Sequence, residues 1–364
     1  MKILITGNMG YVGPAVVKQL RETFPSAIIT GFDAGYFAHC LTDPVFFPES
    51  LTDAQYFGDV RNFPEILLKD TDVVIALAAI SNDPMGSRFE DITYRVNHQA
   101  NIELARKARQ MGVRSFIFAS SCSMYGAALD GTARSEDSPL NPLTAYAKSK
   151  VRTEEDLKPL ATDTFNVTCL RFSTACGMSN RLRLDLVLND FVAGAITDKK
   201  ITILSDGTPW RPLINNKDMA RAIEWAIIRD TNTSHFLAVN VGTESWNYQV
   251  KELAEAVAHE IPGVEVSVNP NSQPDKRSYR VNFDLYKKLA PDHQPIFDLK
   301  TTVREIADGL TNMRFDDKDF RNSKYIRLRI LNDLQEKNIL NGNLEWTSKV
   351  VKQSQPDHFE MEMK

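Results

Sequence analysis

A chain of 364 residues with an ordinary soluble composition has room for one large core or two modest ones. Its 43 Lys and Arg against 47 Asp and Glu leave a formal net charge of -4, which gives no basic footprint for nucleic acid. No apolar stretch approaches the roughly 20 residues that a membrane helix requires, and Met1–Gly7 runs straight into a strand-like pattern, so neither a membrane span nor a secretory leader is expected.

In chain order, Lys2–Thr6 reads as a strand and Pro14–Phe24 as a helix, with Val16, Val17 and Leu20 at helical spacing. Ala27–Phe32 is a second strand and Asp72–Ala79 a third. Asn97–Gln110 is a helix, Arg114–Ala119 a strand, Leu143–Leu157 a helix and Phe165–Phe172 a strand. Strands that alternate with helices imply a parallel sheet covered on both faces, because parallel neighbours need long crossovers. After Phe172 the alternation loosens. Leu182–Ile196, Asp218–Arg229 and Asn247–His259 read as helices, and Val239–Gly242 and Val264–Val268 as short strands. The expected architecture is α/β: a doubly wound parallel sheet over residues 1–172 with later returns around 210–242, a smaller lobe over 173–313, and an added helical tail over 314–364 with a disordered end. Cys40, Cys122, Cys169 and Cys176 form no CxxC pair, so a zinc ribbon is unsupported and no metal is expected. Such cysteine usage fits a reducing cytoplasm.

The loop Gly7-Asn8-Met9-Gly10-Tyr11-Val12-Gly13 follows the first strand and opens the first helix. Glycines there permit a tight turn and let the backbone approach a pyrophosphate, while the amides of the helix N-terminus face the anion. Asp33 ends the second strand, about twenty residues after the last glycine, where an acid accepts the ribose hydroxyls of an adenosine and repels a 2′-phosphate. NAD is therefore favoured over NADP, against the plainer reading of Asp33 as a turn acid. Asp59 and Val60 are placed against adenine, with a turn acid again the alternative for Asp59. Leu77, Ala78 and Ala79 are small or apolar residues over which a dinucleotide can lie.

Tyr146 and Lys150 stand at i and i+4 and share a helix face. A nearby ammonium favours the phenolate, so Lys150 is expected to lower the tyrosine pKa and make it a usable general acid and base. Ser121, just past a strand, is placed to hydrogen-bond the same substrate oxygen. Each feature alone is common; their joint order and spacing point to hydride chemistry at a carbon that carries a hydroxyl.

With these residues in hand, the chain resembles the extended short-chain dehydrogenase/reductase family from Met1 to about Leu310, in particular its nucleotide-sugar epimerases and dehydratases. The carriers are the glycine loop, Leu77-Ala78-Ala79, Asn97, Ser120–Gly126, Tyr146 with Lys150, and Ser205–Arg211. The resemblance implies a Rossmann-type fold, bound NAD, a catalytic set of Ser121, Tyr146 and Lys150, and a lobe that holds a nucleoside diphosphate sugar. It places Asn97 with the cofactor-binding residues. It assigns Ser123, Thr174, Asn189, Arg211 and Arg277 to substrate binding, with Arg280 as the rival to Arg277. It also implies a homodimer formed by the Asn97–Gln110 and Leu143–Leu157 helices.

Two departures narrow the reaction. Dehydratases of this kind carry Thr-Asp-Glu-x-Tyr-Gly, whereas this chain has Ser121-Cys122-Ser123-Met124-Tyr125-Gly126, with neither carboxylate. Many UDP-glucose 4-epimerase-like members read Arg-Tyr-Phe-Asn where this chain reads Arg171-Phe172-Ser173-Thr174, so Thr174 stands in for the usual asparagine. The expected protein is a cytoplasmic, NAD-dependent nucleotide-sugar epimerase. A 4-ketosugar reductase is the alternative, a 4,6-dehydratase comes after it, and a non-catalytic NAD-binding regulator comes last.

Overall fold

Ile3, Leu4 and Ile5 are all inaccessible to solvent, yet successive strand residues face opposite ways. Such a strand needs apolar cover on both sides, which parallel sheets receive from crossover helices. The computed structural model, which describes residues 1–43, 45–128, 131–232, 234–268 and 277–347, has this arrangement. Seven strands form one sheet: β1 (Lys2–Thr6), β2 (Ile28–Asp33), β3 (Ala54–Phe57), β4 (Val73–Ala76), β5 (Ser115–Ser121), β6 (Asn166–Phe172) and β7 (Phe236–Val241). Their order is β7-β6-β5-β4-β1-β2-β3, and every pairing is parallel.

Helices α1 (Gly13–Thr23), α2 (Ala100–Gln110), α3 (Ala145–Leu157), α4 (Val187–Thr197), α5 (Asn216–Ile228), α6 (Val250–Glu260), α7 (Leu299–Asn312) and α8 (Arg327–Glu336) are the longer helical elements. Val16, Val17 and Leu20 of α1 and Ile223 and Trp225 of α5 pack on one sheet face with Ile3, Ile5 and Ile75. Ile102, Leu104, Ala105 and Ala108 of α2 pack on the other with Leu4, Val74 and Phe116. A separate core joins α4, α6 and α7 through Leu188, Phe191, Leu253, Val257, Val303 and Ile306. This is the smaller lobe, to which a three-stranded sheet of Thr174–Cys176, Trp210–Asn215 and Asn247–Gln249 also belongs. Of the expected returns to the main sheet, Phe236–Val241 makes one, whereas Trp210–Asn215 stays in this lesser sheet.

Strand order reverses at β1, which lies between β2 and β4, so the crevice for a ligand opens beyond the carboxyl ends of these strands. Helix boundaries differ from the sequence reading in telling ways. The Leu182–Ile196 helix begins only at Val187, because residues 181–186 form a turn and bends that carry Arg183 and Asp185 along the cavity wall. Residues 247–249 pair as a strand before α6 starts, with Gln249 and Glu252 closing a capping box. The helix α7 and the edge strand β3 are additions that the sequence reading lacks. All four cysteines are buried and free. Among the described residues no helix is long and apolar enough to cross a membrane, and no cluster of metal-ligating side chains occurs. The expected disordered end of the tail falls in residues 348–364, which lie outside the described residues.

Candidate active site

A cavity of about 820 Å³ runs along the carboxyl ends of the sheet, and both the glycine loop and Tyr146 line it. Gly7 has φ +78°, and a Cβ there would stand 2.5 Å from the amide nitrogen of Ala78; one on Gly13 would stand 1.9 Å from the carbonyl oxygen of Asn8. The loop can be this tight only with glycine at both places, and the result is a bare backbone cradle between β1 and β4. Gly10, Tyr11, Val12, Leu77, Ala78 and Ala79 complete it. This wall fits a dinucleotide.

Asp33 enters at the end of β2. Its carboxylate accepts from the amides of Met9 (3.0 Å) and Gly35 (2.7 Å). Burial pushes its pKa up, and the two amide bonds oppose the shift. Met9 thus acts through its amide on Asp33, and it does not itself line the cavity. Asp59 and Val60 do line it, but the Asp59 carboxylate is clasped by the Arg61 guanidinium and caps its own turn. The turn-acid alternative therefore describes this carboxylate as it stands.

Two expected contacts act from behind the wall. Asn97 is fully buried and outside the cavity; its amide grips both backbone polar groups of Ile80 (2.8 and 3.0 Å) and the Ser149 hydroxyl. Asn189, expected at the nucleotide, is likewise fully buried. Its side chain is spent on Gly177 N, Arg183 O and the Tyr11 hydroxyl, so it braces the 177–183 segment instead of facing a ligand.

At the other end of the cavity, Thr144 caps α3 by accepting from Ala147 N (3.2 Å), which sets the helix phase. Tyr146 then faces the cavity beside Ser121, whose hydroxyl also lines it. Ser120 and Ser121 point to opposite sides of β5: Ser120 donates to Glu154 (2.5 Å), which forms a buried, bidentate pair with Arg171. Lys150 is 2% exposed, donates to the Ala119 carbonyl (2.6 Å) and lies over the Phe118 and Tyr146 rings.

Electrostatically the pair departs from expectation. Burial pushes Tyr146 up to about 12, opposed by the Ser121 hydroxyl and reinforced by Asp83. Burial also pulls Lys150 down to about 7. Lys150 does not lower the phenol here, because desolvation dominates both groups and the ammonium is drawn to Ala119. A cationic ring stacked in the cavity would favour the phenolate by the same rule that burial opposes it.

Ser123, Thr174, Arg211 and Arg277 all line the cavity, as expected. The Ser123 hydroxyl is buried and has no hydrogen-bond partner among the described residues, which leaves it for a ligand. Arg211 donates to the carbonyls of Trp210 and Arg277, and Arg277 pairs with Asp83. The rival Arg280 points to solvent and stacks on Trp210 instead.

Several wall residues escape the sequence reading. Arg183 binds Asp185 (2.8 Å) and Ser81 (3.0 Å), Asn82 donates to Asp185 (2.7 Å), and Asp83 accepts from Thr144 (2.6 Å). Arg183 and Asp185 lie in the irregular stretch before α4 that the sequence reading takes into the Leu182–Ile196 helix.

Comparison with known proteins adds to this geometry. Residues 3–242 match the NAD dependent epimerase/dehydratase family. A putative UDP-glucose 4-epimerase of Methanocaldococcus jannaschii is 26% identical over 320 residues, spanning 85% of this chain and 98% of that protein. A UDP-glucose 4-epimerase of Lactobacillus helveticus is 25% identical over 287 residues, spanning 73% and 83%. Among solved structures, UDP-glucose 4-epimerase of Thermotoga maritima with UDP-glucose superimposes with a TM-score of 0.73 at 21% identity, covering 86% of this chain and all of that one.

Proposed function

The chain belongs to the NAD dependent epimerase/dehydratase family, and from that premise we propose that it is a nucleotide-sugar epimerase that oxidises a sugar carbinol, at C4, to a ketone and reduces it again from the other face. The observation that carries the reading is the convergence of Tyr146, Ser121 and Lys150 on one end of a cavity whose other end holds the glycine cradle and Asp33. Bound NAD supplies the hydride acceptor and donor. Gly7, Gly10 and Gly13 give it a backbone cradle, and Asp33 gives its ribose an acceptor.

Tyr146 takes the proton from the carbinol oxygen and returns it at the end. Ser121, which lines the cavity beside that phenol, holds the same oxygen in line. Lys150, buried beside the phenol, stabilises its anionic form once the cavity is filled. Arg211 and Arg277 face the diphosphate, for which a planar guanidinium fork is suited, and Ser123 and Thr174 offer hydroxyls to the substrate.

Elimination is disfavoured by the same wall. Cys122 is a buried thiol bonded to the Arg171 carbonyl, Ser123 carries no acid, and the nearby carboxylates Asp83 and Asp185 are each committed to an arginine. The test is to purify the protein, measure bound NAD(H), and incubate it with UDP- and GDP-hexoses. Interconversion with no net cofactor consumption supports an epimerase; stoichiometric consumption makes the protein a 4-ketosugar reductase and rejects the proposal.

The same reading takes the protein as a cytoplasmic homodimer joined through α2 and α3. The outward residues there, Glu103, Arg106, Lys148, Arg152 and Glu155, are exposed and of both signs. Such a face pairs by charge complementarity and responds to salt.

A further inference from the structure

The segment after α7 returns to the large sheet and forms part of the cavity. Arg321 clasps Asp190 with two bonds of 2.8 and 2.7 Å at the lobe. Leu331, Leu340 and Leu344 then pack with Ile80, Met85, Phe89 and Ile92, leaving no more than 2% of each leucine exposed. Beyond them the Tyr36 hydroxyl donates to Leu344 O, Trp346 Nε1 donates to Ala34 O (2.7 Å), and Arg61 Nη1 donates to Asn343 O (2.9 Å). The segment therefore crosses the loop that follows Asp33. Ile326, Arg327, Leu331 and Leu344 line the same cavity as the glycine cradle.

Arg327 is the unusual member. It is 1% exposed, its guanidinium lies over the Phe37 ring at 4.5 Å, and Nη2 donates to Arg181 O (2.8 Å). Its Nη1 has no hydrogen-bond partner among the described residues. Buried Arg171, Arg181 and Arg183 each hold a carboxylate, whereas no carboxylate lies within ion-pair distance of Arg327 among the described residues. A buried guanidinium without an anion is costly, and one that lines a ligand cavity has an obvious way to acquire one. Burial pulls its pKa down to about 10, opposed by Cys40 and, more weakly, by Asp185.

We infer that residues 326–344 complete the cofactor site: Arg327 binds the diphosphate of NAD, and Leu331 and Leu344 close over its adenosine half. The inference rests on the NAD reading of the cavity. A diphosphate could also belong to the nucleotide sugar. The position favours the cofactor, because Phe37 follows Asp33 on the loop after β2, whereas Arg211 and Arg277 serve the lobe side.

The test is to measure dissociation constants of NAD, ADP-ribose, adenosine and UDP on the full chain by calorimetry. Arg327→Gln should weaken NAD and ADP-ribose by about 10-fold or more, the worth of a charge-assisted hydrogen bond, while adenosine and UDP change less than about twofold, within the scatter expected of a contact not made. Arg327→Lys keeps the charge without the fork and should fall between. Leu344→Met should weaken adenosine and NAD alike, and Arg329→Gln, on the exposed side of α8 beside Asp333, should change nothing. Equal losses for all four ligands in Arg327→Gln, a loss confined to UDP, or no loss would overturn the inference while leaving the NAD reading intact. Failure of the unaltered protein to bind NAD or ADP-ribose would overturn both.

Discussion

The two ends of the cavity are built by different means. At the Tyr146 end the groups come from β5 and the first two turns of α3, and their partners lie about 25 to 30 positions apart in the chain. At the Asp33 end the cradle is equally local, but its outer wall arrives from residues more than 300 positions away, through the bonds of Tyr36 to Leu344 and of Trp346 to Ala34. Chemistry is thus set by short spacings, and enclosure by a remote segment that touches none of the reacting groups. Substitutions at the first end should abolish turnover with the fold intact, whereas those at the second should alter cofactor retention.

The largest effect should come from Tyr146→Phe. Removing the proposed acid–base group should cut the rate of interconversion by about 10²- to 10⁴-fold, with NAD content unchanged, as measured by product assay and absorbance of the purified protein. Retained turnover would detach the chemistry from this end. Next is Glu154→Ala, which strips the buried Arg171 of its carboxylate and Ser120 of its acceptor. It should cost about 3–5 kcal/mol of stability in urea unfolding, because an uncompensated buried charge remains. A loss below about 1 kcal/mol, the worth of a surface pair, would mean that this scaffold under the site is not structural.

The buried lysine makes a prediction in pH. Lys150 sits at about 7 in the folded protein against a usual value of 10.5. Between these values the unfolded chain binds more protons, so the stability of the cofactor-free protein should rise with pH across that window, and the penalty should be complete below about 7. Lys150→Met should flatten this slope and be more stable than the parent at pH 7, at the expense of activity. Thermal melts at several pH values would show it; a parental slope kept in the variant would contradict it. Smallest is the effect of salt on association. If α2 and α3 form the dimer, gel filtration should show weaker pairing as ionic strength rises from about 0.05 to 0.5 M, since the Debye length shrinks below the span of the exposed charges. A salt-insensitive dimer would place the interface elsewhere.

Much of both ends was legible in the sequence, since the strand–glycine loop–helix order, Asp33 and the Tyr146–Lys150 turn depend on local periodicity and spacing. Less legible were contacts that depend on which residues share a wall. Asn189 and Asn97 have side chains that could serve a ligand or a backbone, and only tertiary packing shows both to be braces. The rise of Tyr146 was missed because spacing reveals the neighbouring ammonium but not the desolvation that outweighs it. Arg183 and Asp185 were read into a helix that begins only at Val187, because their apolar neighbours Leu182, Leu184 and Leu186 continue its hydrophobic run. The function of the tail could not be read at all, because Arg327 becomes informative only when its burial and missing partner are known.

The central claim is that one carbon is oxidised and then reduced again at this site, and the direct test follows that carbon's hydrogen. Nucleoside diphosphate hexoses deuterated at C4 should be incubated with the purified protein and the products examined by NMR and mass spectrometry. The account predicts an inverted C4 that still carries its deuterium, with no net change in bound NAD. Accumulation of a ketosugar, or an inverted product whose label has exchanged with solvent at another carbon, would contradict it.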